Sequence, residues 1–166
     1  MINKKIFFFL ILFICLSIAK LYAVEAVCNF EEVYKNGQTQ QGFILTSKNK
    51  FRYEYYDPSL YKIFFDGGSL FLILNKNKIQ ESIPKDNQIL LIKISEILQK
   101  LPSIPREVNI DDLSILTEMN ENMSFIKRLS IKSKRINMSI FFHSCEIKPI
   151  NDIFFKINPV FDYKFK

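Results

Sequence analysis

The chain has 166 residues, of which 23 are Lys or Arg and 17 are Asp or Glu, for a formal charge of +6. That length gives one domain with a real core. One histidine and four glycines leave little with which to build a catalytic triad, a zinc site or a phosphate-cradling loop. No basic cluster is interleaved with aromatics as nucleic-acid binding would need.

The N-terminus reads as a secretory signal. Lys4 and Lys5 precede an unbroken apolar run, Ile6 to Ala19, that ends at Lys20. Such a run is shorter than the roughly 20 residues a membrane-spanning helix needs and fits a signal core. Cleavage is expected after Ala23 or Ala26, with an uncleaved anchor as the alternative. Residues 1–23 are thus a signal and 24–166 a single exported domain, expected in the periplasm as a soluble monomer. Without Lys4, Lys5 and Lys20 the 23 basic residues become 20 against 17 acidic ones, so +6 falls to +3. Charge then argues for no particular partner. Cys15 leaves with the signal. Cys28 and Cys145 remain in an oxidising compartment, where they either bridge the first strand to one of the last or stay as buried thiols.

The mature chain opens with a meander. Val27 to Tyr34 reads as a strand, Lys35-Asn36-Gly37-Gln38 as a hairpin turn, and Thr39 to Thr46 as the second strand. Phe51 to Tyr55 alternates Phe51, Tyr53 and Tyr55 with Arg52 and Glu54, the period of 2 that separates two faces of a sheet. Tyr56-Asp57-Pro58 turns the chain into Leu60 to Phe65. Asp66-Gly67-Gly68 then turns it into Ser69 to Leu74. Asn75-Lys76-Asn77 leads into a short strand, Lys78 to Ile83.

The pattern then becomes helical. Asp86 or Asn87 can cap a helix over Gln88 to Lys100, with Ile89, Ile92, Leu98 and Leu101 near helical spacing and Pro102 and Pro105 beyond it. Asn109 to Met123 reads as a loop with partial helix, starting at Asp111, Asp112 or Glu118, with Leu113 to Leu116 as an edge strand in the alternative. Ser124 to Ile131 and Ile136 to Phe142 form a hairpin whose tip gathers Lys127, Arg128, Lys132, Lys134 and Arg135. This cluster is either a solvated surface or a contact for acidic headgroups or an acidic protein. Ile153 to Ile157 and Phe161 to Phe165 are expected to close the sheet.

Two of these stretches carry a family resemblance. Gly42-Phe43, Phe51-Arg52-Tyr53-Glu54-Tyr55, Pro58, and Asp66-Gly67 leading into Leu70-Phe71 resemble the periplasmic outer-membrane lipoprotein carrier family, LolA. Ile153-Phe154-Phe155-Lys156-Ile157-Asn158-Pro159-Val160-Phe161-Asp162 is similar to that family's closing strand. The likeness covers roughly 38–82 and 128–162. It implies a mainly β (α+β) fold: a half-open, strongly curved antiparallel β-barrel with a helix packed at its concave side. It also implies a carrier that takes acylated lipoproteins from an inner-membrane releasing transporter and passes them to an outer-membrane receptor. The chain departs from the family in lacking its long N-terminal amphipathic helix. Where the family has a basic residue and then Pro, this chain has Ser47 and Lys48, with Lys48 or Lys50 as stand-ins. Residues 103–122 have no counterpart.

The residues themselves point away from catalysis. His143 lies beside Phe141 and Phe142 without a partner motif, and Asp111-Asp112 reads as a cap or solvated pair. No enzyme activity, cofactor or metal is expected. What remains is apolar surface, and hydrocarbon is bound by removing CH₂ groups from water at about 0.8 kcal/mol each. The candidate lipid-binding lining is Phe43, Leu45, Phe51, Tyr53, Tyr55, Ile63, Phe65, Leu70 and Leu72, as an open bowl. Two other readings share the scaffold: a module that senses lipids or lipoproteins, and a filled-core envelope protein with only protein partners.

Overall fold

A computed structural model describes residues 25–74, 79–82, 85–101, 103–122 and 125–156. The signal, Cys15, the turn at 75–77, Pro102 and the strand expected over 161–165 lie outside the described residues.

The chain first lays down six antiparallel strands in sequence: β1 (Ala26–Tyr34), β2 (Thr39–Ser47), β3 (Lys50–Tyr55), β4 (Tyr61–Phe65), β5 (Leu70–Leu74) and β6 (Ile79–Ser82). Each turn has its chemical reason. Gly37 supplies φ +82° after Asn36, whose Oδ1 accepts from the Gln38 amide. The Asp66 carboxylate accepts from the Gly68 and Ser69 amides, which hold its pKa below 3.8.

Helix α1 (Lys85–Gln99) follows, and then β7 (Glu107–Ile110), β8 (Leu113–Met119), β9 (Ile126–Lys132) and β10 (Asn137–Ile147). The ten described strands form one sheet in the order β6-β5-β4-β3-β2-β1-β10-β9-β8-β7. Two meanders therefore meet at the antiparallel β1–β10 pair. Helix α1 carries the chain from one outer edge to the other. A flat sheet of this width spans about 43 Å at about 4.8 Å per gap, whereas 15 helical residues rise only about 22 Å. Curvature brings the edges toward the helix ends. The result is the mainly β, half-open curved antiparallel sheet with a helix on its concave side.

Three sequence expectations need correction. Residues 109–119 are not a loop with partial helix, since β7 and β8 pair from Ile110↔Leu113 to Glu107↔Leu116, and the alternative strand over Leu113 to Leu116 lies within β8. Asp111 makes the tight turn at φ +51°, a conformation an aspartate tolerates better than most residues. The helix buries Ile94, Ile97 and Leu98, with Leu101 just beyond it, while Ile89 is 39% exposed and Ile92 only half-buried. Finally, the chain after β10 does not add a strand at Ile153. It makes a short 3₁₀ turn, Asp152–Phe155, with Asn151 Oδ1 accepting from the Ile153 amide.

Cys28 and Cys145 face each other across β1 and β10 and are joined by a disulfide. The bridge fastens the two meanders where they meet.

Candidate functional site

The concave face is assembled by register. Tyr53 pairs with Ile44 on one side and Ile63 on the other. Phe51 pairs with Thr46 and Phe65, Leu70 with Phe65, and Leu72 with Ile63. Seven of the nine expected lining residues thus share one face: Phe51, Tyr53, Tyr55, Ile63, Phe65, Leu70 and Leu72. Phe43 and Leu45 do not. Lys48 and Asn49 form a two-residue turn that sets Ser47 opposite Lys50, so Leu45 falls opposite Arg52 and Phe43 opposite Glu54. Both point through the sheet to its convex side.

Among the described residues, the centre of the concave face is closely packed. Phe51 (0% exposed), Tyr53 (2%), Tyr55 (6%), Ile63 (4%) and Leu70 (2%) are buried there. The Tyr53 ring stacks on Phe30 with centroids 4.3 Å apart, Tyr55 meets Tyr53 and Tyr61 edge-on, and Phe51 stacks with Phe65 at 5.6 Å. Helix α1 closes over this layer with Ile94, Ile97 and Leu98. A polar peg fixes it. Ser95 and Thr46 hydroxyls lie 3.2 Å apart, and Gln99 Nε2 donates to both, at 3.2 and 3.1 Å. Around the buried centre runs a half-buried apolar rim that includes Phe65, Leu72, Leu90, Leu91, Ile104 and Phe125.

Sequence reasoning missed a carboxylate inside this layer. Glu32 follows Phe30 on the inner face of β1 and is 4% exposed. Tyr34 and Tyr53 donate short hydrogen bonds to it, and Tyr55 donates to Oε2 at 3.1 Å. Burial pushes its carboxyl above the ordinary 4.5, although the three phenols pull the other way. Burial, and then the Glu32 charge, raise the Tyr53 phenol in turn. The available signal was an acidic residue on an inward position of a strand facing two tyrosines across the sheet.

The convex side holds a second layer, which explains why β2 is buried continuously from Gly42 to Ser47. Phe43 and Leu45 pack under Ile150 and Phe155 of the returning chain. Arg52, 2% exposed, lies between the Phe43 and Phe64 rings, its guanidinium carbon 5.7 and 5.2 Å from their centroids. It forms a two-pronged ion pair with Glu54, which also binds Lys62 at 3.0 Å, and it reaches the Phe154 carbonyl at 3.5 Å. Glu25 holds the same segment by accepting from the Ser47 hydroxyl (2.6 Å) and the Ile150 amide (2.7 Å), which keep its pKa below 4.5. Lys50 pairs with Asp152 at 3.0 Å on this convex side, and Lys48 sits in the turn. Neither faces the apolar layer. His143 is exposed, with Nε2 3.7 Å from Glu31. Among the described residues no group of three or more potential metal ligands occurs.

No protein-family model and no curated protein matches the sequence. Among solved structures, the chain is similar to the crystal structure of a LolA superfamily protein from Nitrosomonas europaea. The identity is 9% and the TM-score 0.43, over 83% of this chain and 91% of that one.

Proposed function

We propose that the protein is an exported carrier that shelters an acyl chain between the aromatic concave face and helix α1, the helix acting as a displaceable lid. The observation that supports this is the closure itself. A broad aromatic layer is covered by one helix, through a few aliphatic side chains and one polar peg.

The magnitudes make exchange feasible. Exposing Ile94, Ile97, Leu98 and Leu101 costs about 6–12 kcal/mol at about 1.5–3 each, while an acyl chain of about 16 carbons gains about 13 at about 0.8 per CH₂. An acyl chain can therefore replace the helix without being held too tightly to leave. The resemblance of 42–71 to the LolA family, behind an expected signal at 1–23, suggests as cargo acylated lipoproteins travelling between a releasing transporter in the inner membrane and a receptor in the outer membrane.

The interlocked rings favour a second reading, a filled-core envelope protein whose partners are only proteins. One variant separates the two. Thr46→Cys/Ser95→Cys places two thiols where hydroxyls now lie 3.2 Å apart, so oxidation pins the lid. The carrier binds a fluorescent fatty acid, loses at least tenfold in affinity when the variant is oxidised, and regains it on reduction. Wild type under the same reductant sets the baseline. A wild-type protein that folds and takes up no fatty acid or acylated peptide refutes the carrier and leaves the filled core.

A further inference from the structure

The β1–β2 and β9–β10 hairpin tips lie side by side, because β1 pairs with β10. Between them is a cleft of about 520 Å³ lined by Tyr34, Lys35, Lys134, Arg135, Ile136 and Asn137, among others. Both tips are pre-shaped. The Lys35 amide donates to the Asn137 carbonyl at 3.3 Å, and Ser133 Oγ accepts from the Arg135 and Ile136 amides at 3.2 and 3.0 Å.

Its charge is one-sided. No carboxylate lines the cleft, and Lys35, Lys132, Lys134 and Arg135 form no ion pair among the described residues. Asp112 accepts from the Lys134 amide at 3.4 Å, from outside the lining. The five-residue basic cluster of the sequence therefore divides. Lys127 and Arg128 are paired with Glu118 at 3.2 and 2.9 Å, whereas the tip residues join Lys35, which is distant in sequence.

The floor of the cleft is apolar. Tyr34 and Ile136 both pack against the concave core, and the Tyr34 hydroxyl is turned to Glu32 and Gln40. Cations above an apolar floor that continues into the core suit an amphiphile with an anionic head. An acidic peptide would need the cations alone. From this geometry we infer that the paired hairpin tips dock on the phosphate headgroups of anionic phospholipid, holding the protein on a membrane at the end of the sheet next to its aromatic layer. This extends the carrier reading, and its test is independent of acyl uptake.

Sedimentation of the full chain with phosphatidylglycerol/phosphatidylcholine vesicles, compared with pure phosphatidylcholine, gives the anionic increment. Each basic residue at such a surface multiplies affinity about fivefold, so Lys134→Glu/Arg135→Glu should reduce that increment by about 25-fold or more. Lys127→Glu/Lys156→Glu, the same change in net charge placed elsewhere, should reduce it far less. Fatty-acid uptake by the tip variant should match wild type. Equal losses in the two variants, or no anionic increment in wild type, would overturn the inference. So would displacement from vesicles by millimolar inorganic phosphate at constant ionic strength, which marks a free-phosphate site. Displacement by polyglutamate at a charge concentration well below that of the anionic lipid would mark a protein site and overturn it equally.

Discussion

Glu32 offers the most discriminating measurement. Its carboxyl is raised above 4.5 in the folded protein because burial outweighs the three phenol hydrogen bonds. The folded state therefore holds that proton more tightly than the unfolded chain does. Stability from this group is full below about pH 4.5 and is lost as pH rises to the elevated folded value, at up to about 1.4 kcal/mol per pH unit. Above that value the loss is complete and constant. Glu32→Gln keeps the shape and removes the titration, although one of the three phenols must turn to accept from the new amide. Urea unfolding of both proteins at intervals from about pH 4 to 8 gives the difference, variant minus wild type. Glu25, Asp66 and Asp152, whose pKa values are lowered, lose stability as pH falls, but they do so in both proteins and cancel. The difference should rise with pH and then level off. A difference that falls with pH would mean that the phenols hold the carboxylate ionised, and the burial argument would fail.

Much of the sheet was legible because its turns carry their own chemistry. Asn36-Gly37 and Asp66-Gly67-Gly68 need positive φ or a side-chain acceptor, and each stands between alternating runs. The faces were less legible. Alternation assigns a side only when one side is wet, and β2 is dry on both, under α1 on one side and under Ile150 and Phe155 on the other. Phe43 and Leu45 thus looked equivalent to Phe51 and Tyr53, and only the Lys48-Asn49 turn, with Lys48 at φ +49°, fixes the register that separates them. The β7–β8 hairpin was hidden for a related reason. Its turn uses Asp111-Asp112 without glycine, and its first strand is short. The packing of the rings could not be read at all, because an aromatic that lines a bowl and one that interlocks with its neighbours have the same sequence. The resemblance to a carrier family favoured the bowl. The rings of Phe30, Tyr53, Tyr55 and Tyr61 pack against one another at its centre.

The remaining predictions test the other fixed points. Cys28→Ser/Cys145→Ser removes a bridge across 117 residues and should lower stability by up to about 4–5 kcal/mol, read as a lower urea midpoint than oxidised wild type. An unchanged midpoint would show that the β1–β10 pair needs no fastening. Gly42→Ala should cost about 3 kcal/mol or more, since a Cβ there lies 2.1 Å from the Glu54 carbonyl oxygen and 2.6 Å from the Phe30 ring. A loss below about 1 kcal/mol would show that β2 and β3 can separate at little cost. Arg52→Met keeps the apolar stem between Phe43 and Phe64 but leaves Glu54 with Lys62 alone. Removing one partner of a buried pair costs about 3–5 kcal/mol, and the remaining lysine places this case near the lower figure. Because the guanidinium also reaches the Phe154 carbonyl, the loss should be local as well as global. Hydrogen exchange should quicken at the Phe154 and Lys156 amides, which now bond Asn151 and Ile153 carbonyls. Exchange that stays slow there while global stability falls would show that Ile150, Phe155 and Glu25 hold the returning chain without help from Arg52.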